Sequence, residues 1–189
     1  DAIILAVPPP SIPGVLEEAA ERKAGGAIIF SGGFAEVGGE GESLQRRVCD
    51  IARAGGVRLL GPNSAGIIYP PARTILSFLT CLERPAKEIR PGPVGLITQS
   101  GGTGSFMFNL AADRGGGLAI SVSTGNEADV ELSEVFEALV ENPDVRSIAL
   151  LLETVRNGPR FIAAARAARA AGKPVVACKI GRTEAGHDI

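Results

Sequence analysis

Gln99-Ser100-Gly101-Gly102 stands where an apolar run, residues 94–98, stops and a helical pattern begins. A serine among glycines at such a junction suits three roles: a nucleophile on a strained turn, a cradle for a phosphoryl group, or a tight connection that binds nothing. A G-x-S-x-G elbow needs glycines two residues before and two after the serine. Gly102 is in place, but Thr98 takes the earlier position. A serine nucleophile also needs a base, and the single histidine is His187, close to the last residue. The nucleophile reading therefore falls away. A strand, a glycine turn and a helix start converge backbone N–H groups and the helix dipole on an anion. Gly101, Gly102 and Gly104 remove Cβ atoms from that approach, and Ser100 and Thr103 add hydroxyls. The lysine of GxxxxGK[ST] is missing, so this is not a nucleotide P-loop. On the loop alone, the phosphate cradle and the bare glycine turn stand level.

Three other strand-length runs end in similar clusters: Ser31-Gly32-Gly33, the GPNSAG stretch at 61–66, and Thr124-Gly125-Asn126. In parallel sheets ligands collect outside the carboxyl ends of the strands. Glu153 interrupts SIALLLETV at the end of an apolar run, where a carboxylate is costly unless paired or put to use. Glu127, Asp129 and Glu131 read as acidic residues of a helix start, partners of its dipole.

The elements that must position these groups alternate along the whole chain. Apolar runs at 2–7, 27–30, 57–60, 94–98, 118–123, 147–152 and 174–179 are continuous, as expected of parallel strands covered on both faces. Helical spacing appears between them in Leu44, Val48 and Ile51, in Phe106 and Leu110, and in Val135 and Leu139. The alanine-rich stretch 160–172 stops at Gly172 before lysine and proline. Such alternation predicts an α/β fold with parallel sheets. The proline-rich stretch 69–93 has no clean period and reads as a linker between residues 1–68 and 94–189.

Of the 189 residues, 45% are hydrophobic and 21% charged, enough apolar material for a real core. A net charge of −2 gives no footprint for nucleic acid or an anionic membrane, and no apolar run is long enough to span a bilayer. Cys49, Cys81 and Cys178 lie far apart without CxxC spacing. That argues against a disulfide framework or a metal site and fits a reducing cytoplasm. The chain opens at Asp1 directly on an apolar run, which reads as part of a longer protein.

Taken in order, SGGFAEVGGEG, LLGPNSAGI, GLITQSGGTG, STGNEADVELSEVFEAL and GKPVVACKIGRTEAG resemble the NDP-forming acyl-CoA synthetases. These are relatives of the succinyl-CoA synthetase α subunit, and the nearest branch is the ADP-forming acetate–CoA ligase type. The resemblance implies that residues 1–68 are the later part of a Rossmann-like CoA-binding domain and 94–189 a flavodoxin-like domain. It implies coenzyme A bordered by Val7, Pro8, Pro9, Ser31, Gly32, Gly33 and Asn63. Gln99, Ser100, Gly101 and Gly102 would hold the phosphoryl group of a phosphohistidine, which Glu153 orients; Gly125 and Asn126 would lie near the acyl group and CoA thiol. The level choice at the serine-glycine loop then resolves toward the cradle.

The implied reaction joins a carboxylic acid to CoA with Mg-ATP, which is bound by a separate ATP-grasp domain or β subunit, in an oligomer. One element departs: a Ser-His-Thr-Gly-like motif should follow GRTEAG after a short gap, and His187 follows it at once. The ligase reading therefore stands beside a second one, a CoA- or acyl-CoA-sensing domain of a protein acyltransferase, and a third, an α/β assembly domain that binds nothing.

Overall fold

In the computed structural model, which describes residues 1–83 and 89–181, the chain forms two units. The first is Asp1–Gly66 with Thr124–Glu131, and the second is Ile67–Ser123 with the residues from Leu132 onward.

The first unit carries β1 (Ala2–Leu5), α1 (Ile12–Glu21), β2 (Gly26–Ile29), α2 (Glu40–Gly55) and β3 (Arg58–Leu60). The strands pair in parallel, in the order β1-β2-β3. Their core is Leu5, Ala27, Ile29 and Leu59 with Ile12 and Leu16 of α1, Phe34, and Val48 and Ala52 of α2. The four-and-three spacing of Leu44, Val48 and Ile51 faces this core. Gly56, in the left-handed region, ends α2, and the Val57 N–H closes back on the Ala52 carbonyl at 2.9 Å.

Residues 124–131 run along the outer edge of β3 without forming a strand. Val130 N donates to Leu59 O at 3.0 Å, Ala128 N to Gly61 O at 3.0 Å, and Asn126 N to Pro62 O at 2.8 Å. The Asp129 carboxylate accepts from Leu59 N and from Arg58 Nε, both at 2.8 Å. An otherwise open sheet edge is thereby covered. This corrects the reading of Glu127 and Asp129 as helix-start residues, because the following helix begins only at Leu132. Glycine is required at 125: its φ is +58°, and a Cβ there would lie 2.2 Å from the Pro62 carbonyl oxygen.

The second unit holds a six-stranded sheet in the order β5-β4-β7-β6-β8-β9. Its elements are β4 (Gly66–Tyr69), β5 (Thr74–Leu76), β6 (Pro91–Thr98), α3 (Gly101–Asp113), β7 (Leu118–Ser123), α4 (Leu132–Glu141), β8 (Ser147–Leu152), α5 (Gly158–Ala170) and β9 (Val175–Lys179). β6 pairs in parallel with β7 on one side and β8 on the other, and β9 continues parallel beyond β8. Within the parallel part the chain therefore starts mid-sheet at β6 and winds both ways, as in flavodoxin-like folds. Phe136 and Leu139 of α4, Ala164 and Ala168 of α5, and Ile97, Ile148 and Leu150 of the sheet form the core on one face.

Three expectations need correction. Residues 69–93 are not a bare linker where described: β5 pairs antiparallel with β4, and Cys81 is buried with Ile68, Leu96, Phe108 and Leu118. Prolines erase the period there, but the apolar side chains still reach the sheet. β9 is not covered on both faces; all five of its residues are exposed. In α3 the Phe106–Leu110 stripe faces outward, at 64% and 40% exposure. Gly104 sits so close to Thr98 that a Cβ would be 2.6 Å from its methyl carbon, which turns the Gly104–Phe108 stripe toward the sheet instead.

Replacing Gly125 by alanine should cost about 2 kcal/mol or more, since a Cβ meets backbone at a positive φ. Denaturant titration should show the loss. Hydrogen exchange of the Asn126, Ala128 and Val130 amides should accelerate with it.

Candidate functional site

All strands of the first unit are parallel, so β1, β2 and β3 deliver their carboxyl ends to one edge. The turns that follow bond to one another. Ser31 Oγ donates to the Val7 carbonyl at 2.6 Å, and Asn63 N donates to the Ser31 carbonyl at 3.0 Å. Pro8 O accepts from Ser11 N at 2.9 Å, at the entry to α1. Gly33 has φ +95°, and the ring of Pro9 lies 3.1 Å from where its Cβ would be. A Cβ on Gly32 would meet Glu36 Oε1 at 3.0 Å and Asn63 Oδ1 at 3.5 Å. Val7, Pro9, Ser31, Gly32, Gly33 and Asn63 thus form one group, with the exposed Pro8 beside them. Gly61–Pro62 is a cis peptide.

Two further residues join them that sequence reasoning missed. Glu36 accepts from Gly33 N at 2.5 Å, from Phe34 N at 3.2 Å, and from Asn126 Nδ2. Gln45 Oε1 accepts from Ala35 N at 3.3 Å and from Asn126 Nδ2 at 3.1 Å. Asn63 Nδ2 in turn donates to Asn126 Oδ1 at 3.4 Å. Partial burial pushes the Glu36 carboxyl up, but the bonds from Asn126, Gly33 and Phe34 outweigh it and hold the group below its ordinary value. A signal for Glu36 was available: an acid three residues after a glycine turn can reach back to the turn's N–H groups, as in a capping box. Glu127 is buried and its Oε1 accepts from Thr124 Oγ1 at 2.8 Å.

In the second unit, the switch point lies between the carboxyl ends of β6 and β8. Ser100 caps α3: its Oγ accepts from Thr103 N at 3.4 Å and donates to Thr103 Oγ1 at 3.1 Å. Thr98 Oγ1 fixes the turn by donating to Ser100 O at 2.6 Å. Gly102 is exposed, with open space where a Cβ would stand. The first N–H groups of α3 have no partner within the helix and start at Gly101.

The side chain of Gln99 has a structural duty of its own. Its buried side chain accepts from Glu153 N at 2.6 Å and Thr154 N at 2.9 Å, and donates to Thr154 O at 3.0 Å. It clasps the backbone after β8. Glu153 departs from expectation. β8 ends at Leu152, and Glu153 is exposed just beyond it, so no burial cost compels its presence. The Gln99 clasp brings the turn at Glu153 beside the start of α3. Residues 182–189, with His187, lie outside the described residues. Among the described residues no cluster could hold a metal ion, and no helix is long and apolar enough to cross a membrane.

Against this geometry, a family model for a CoA binding domain matches residues 1–70. One for a succinyl-CoA ligase like flavodoxin domain matches residues 91–189. The chain is 33% identical to the acetate–CoA ligase (ADP-forming) I subunit alpha of Pyrococcus furiosus, over 98% of its own length and 39% of that subunit. It is 36% identical to a trans-feruloyl-CoA synthase of an unknown prokaryotic organism, over 100% of this chain and 26% of that one. The dinucleotide forming acetyl-coenzyme A synthetase 1 of Ca. Korarchaeum cryptofilum, solved with phosphate and ADP, superimposes with a TM-score of 0.87 at 31% identity. That match covers 98% of this chain and 39% of that one. The chain thus spans less than half the length of these relatives.

Gln99→Ala should leave two backbone N–H groups without their acceptor and cost about 2–3 kcal/mol in a denaturant titration of the second unit. For Glu36, a lowered folded-state value means stability that is complete above the ordinary 4.5 and lost as pH falls through the lowered value. Glu36→Gln should flatten that acid limb, which lies below the ordinary 4.5, in a pH series of thermal unfolding.

Proposed function

We propose, from the premise that this chain belongs to the ADP-forming acyl-CoA synthetase family and carries its CoA-binding and succinyl-CoA ligase-like flavodoxin domains, that it is the CoA-binding and phosphoryl-handling portion of an acid–CoA ligase. On this reading residues 1–68 are the later part of the CoA-binding domain and 94–189 the flavodoxin-like domain. A separate ATP-grasp domain or subunit supplies Mg-ATP. The carrying observation is the Gln99 clasp, which joins the start of α3 to the turn at Glu153 at a sheet's switch point.

CoA would lie on the interlocked turns of Val7–Pro9, Ser31–Gly33 and Asn63, whose glycines leave room for close backbone approach. Its thiol sulfur attacks the carbonyl carbon of an acyl-phosphate; the carbon–sulfur bond forms as the carbon–oxygen bond to phosphate breaks, and the thiol proton leaves to solvent or the departing phosphate. Gly125 and Asn126 stand near this end. The N–H groups at Gly101 and Gly102, with the hydroxyl pair Ser100 and Thr103, stabilise charge on phosphoryl oxygens. The exposed Glu153 carboxylate accepts from one ring nitrogen of a phosphorylated histidine and leaves the other to carry the phosphoryl group. Gln99 positions Glu153 through its side chain. The acid is not assigned: the two relatives' names give acetate and ferulate.

The test is intact mass of the full-length protein, with its ATP-grasp partner, after Mg-ATP. One acid-labile phosphoryl adduct should form and be discharged only by CoA plus a particular carboxylic acid. Glu153→Gln should slow its formation about tenfold or more, equivalent to ~1.4 kcal/mol of transition-state stabilisation. No adduct with a folded, nucleotide-binding partner would overturn the ligase reading.

A further inference from the structure

The CoA-binding family model stops at residue 70, yet the first unit includes Thr124–Glu131. Within that added segment Asn126 meets three side chains of the first unit. Its amide group donates both to Glu36 Oε2 and to Gln45 Oε1, and its carbonyl accepts from Asn63. Both amide hydrogens are therefore taken up inside the protein. Its own N–H, meanwhile, holds the Pro62 carbonyl. Glu36, at the other end of the Asn126 contact, pins the N–H groups of Gly33 and Phe34. Beside the direct bond from Asn63 N to Ser31 O, the turn after β2 and the turn after β3 are thus joined by a carboxylate–carboxamide pair.

We propose that Glu36 and Asn126 are positioning residues for CoA, so that the CoA site depends on a segment outside the region matched as CoA-binding. This rests on the reading of the first unit as the CoA-binding one. The chemistry is specific about residue type. Glu36 receives donors at both oxygens, from Gly33 at one and from Phe34 and Asn126 at the other, so only an acceptor at both ends satisfies it. A glutamine presents an N–H to one of these donors. An aspartate at 126 sets a second carboxylate against the first, and like charges in contact repel. Together the two changes restore the contact between the two positions, because the glutamine introduced at position 36 then donates to the aspartate introduced at position 126, and only the Phe34 N–H loses its acceptor. Preorganised turns lower the ordering cost of binding, so loosening them weakens affinity without removing a ligand contact.

The experiment is CoA titration by calorimetry on the full-length protein, comparing wild type, Glu36→Gln, Asn126→Asp and the double variant, with the melting temperature of each. Arg22→Ala, just past the end of α1 and exposed, is the control. Each single variant should bind CoA about tenfold more weakly, and the double variant should regain at least about threefold over either single one. The affinity losses should persist at temperatures well below every variant's melting temperature. If a single variant does not fold, the double variant and Asn126→Ala carry the comparison. Wild-type binding with unchanged variants overturns this inference and leaves the CoA-binding reading standing. Losses that track melting temperature, with no recovery in the double variant, reduce the pair to a structural contact and overturn it too. No CoA binding by the wild type overturns the CoA-binding reading itself, and this inference with it.

Discussion

Where parallel strands end, their backbone groups lose ladder partners all at one edge, and something must satisfy them. In the first unit the turns satisfy one another. Ser31 bonds back to Val7, Asn63 bonds to Ser31, and Glu36 gathers the N–H groups of Gly33 and Phe34. Everything proposed for CoA depends on this mutual satisfaction. It makes a set of loops, drawn from three different strands, into one surface of defined shape.

The second unit meets the same constraint differently. At the end of β6 the chain enters a helix after only two residues, and one long polar side chain does the joining. Gln99 offers an acceptor and a donor to the backbone after β8, while Ser100 and Thr98 fix the helix start itself. Gly102 has open space where a Cβ would stand, and on the proposed reading it leaves the helix N-terminus open to an anion. Positioning and binding would then be divided between neighbouring residues of one short loop.

The turns were legible because their composition follows local physics. An apolar run stopping at Ser-Gly-Gly or Gly-Pro-Asn announces a parallel strand's carboxyl end without any knowledge of its neighbours. Val7, Ser31, Gly33 and Asn63 meet in space as that reading required. The bonds that complete the group across the chain were not: Glu36 has a local signal for capping its own turn but none for its distant partner, and Gln45 has none. Glu36 finds its partner 90 residues away, on a segment whose acidic residues look like the opening of a helix. Glu127 and Asp129 were misread for the same reason: only the annealing of residues 124–131 along β3 shows that one supports Thr124 and the other Arg58. The run at 147–152 is legible as the strand it forms, but not that Glu153 just beyond it is exposed and bears no burial cost. The proline-rich stretch hid a sheet edge because proline masks periodicity without preventing Cys81 from reaching the core. Local turn chemistry is written in adjacent residues; long-range polar pairing is not.

The central claim is that one edge of each unit is built for its own part of the ligand chemistry, CoA on the interlocked turns and a phosphoryl group at the start of α3. The most direct measurement is a crystal structure of the full-length protein with CoA and inorganic phosphate. The account predicts CoA along Val7–Pro9, Ser31–Gly33 and Asn63, and phosphate against the N–H groups of Gly101 and Gly102, with the Glu36–Asn126 contact intact beneath the CoA. CoA bound elsewhere on the first unit, or phosphate away from the α3 start, would contradict it.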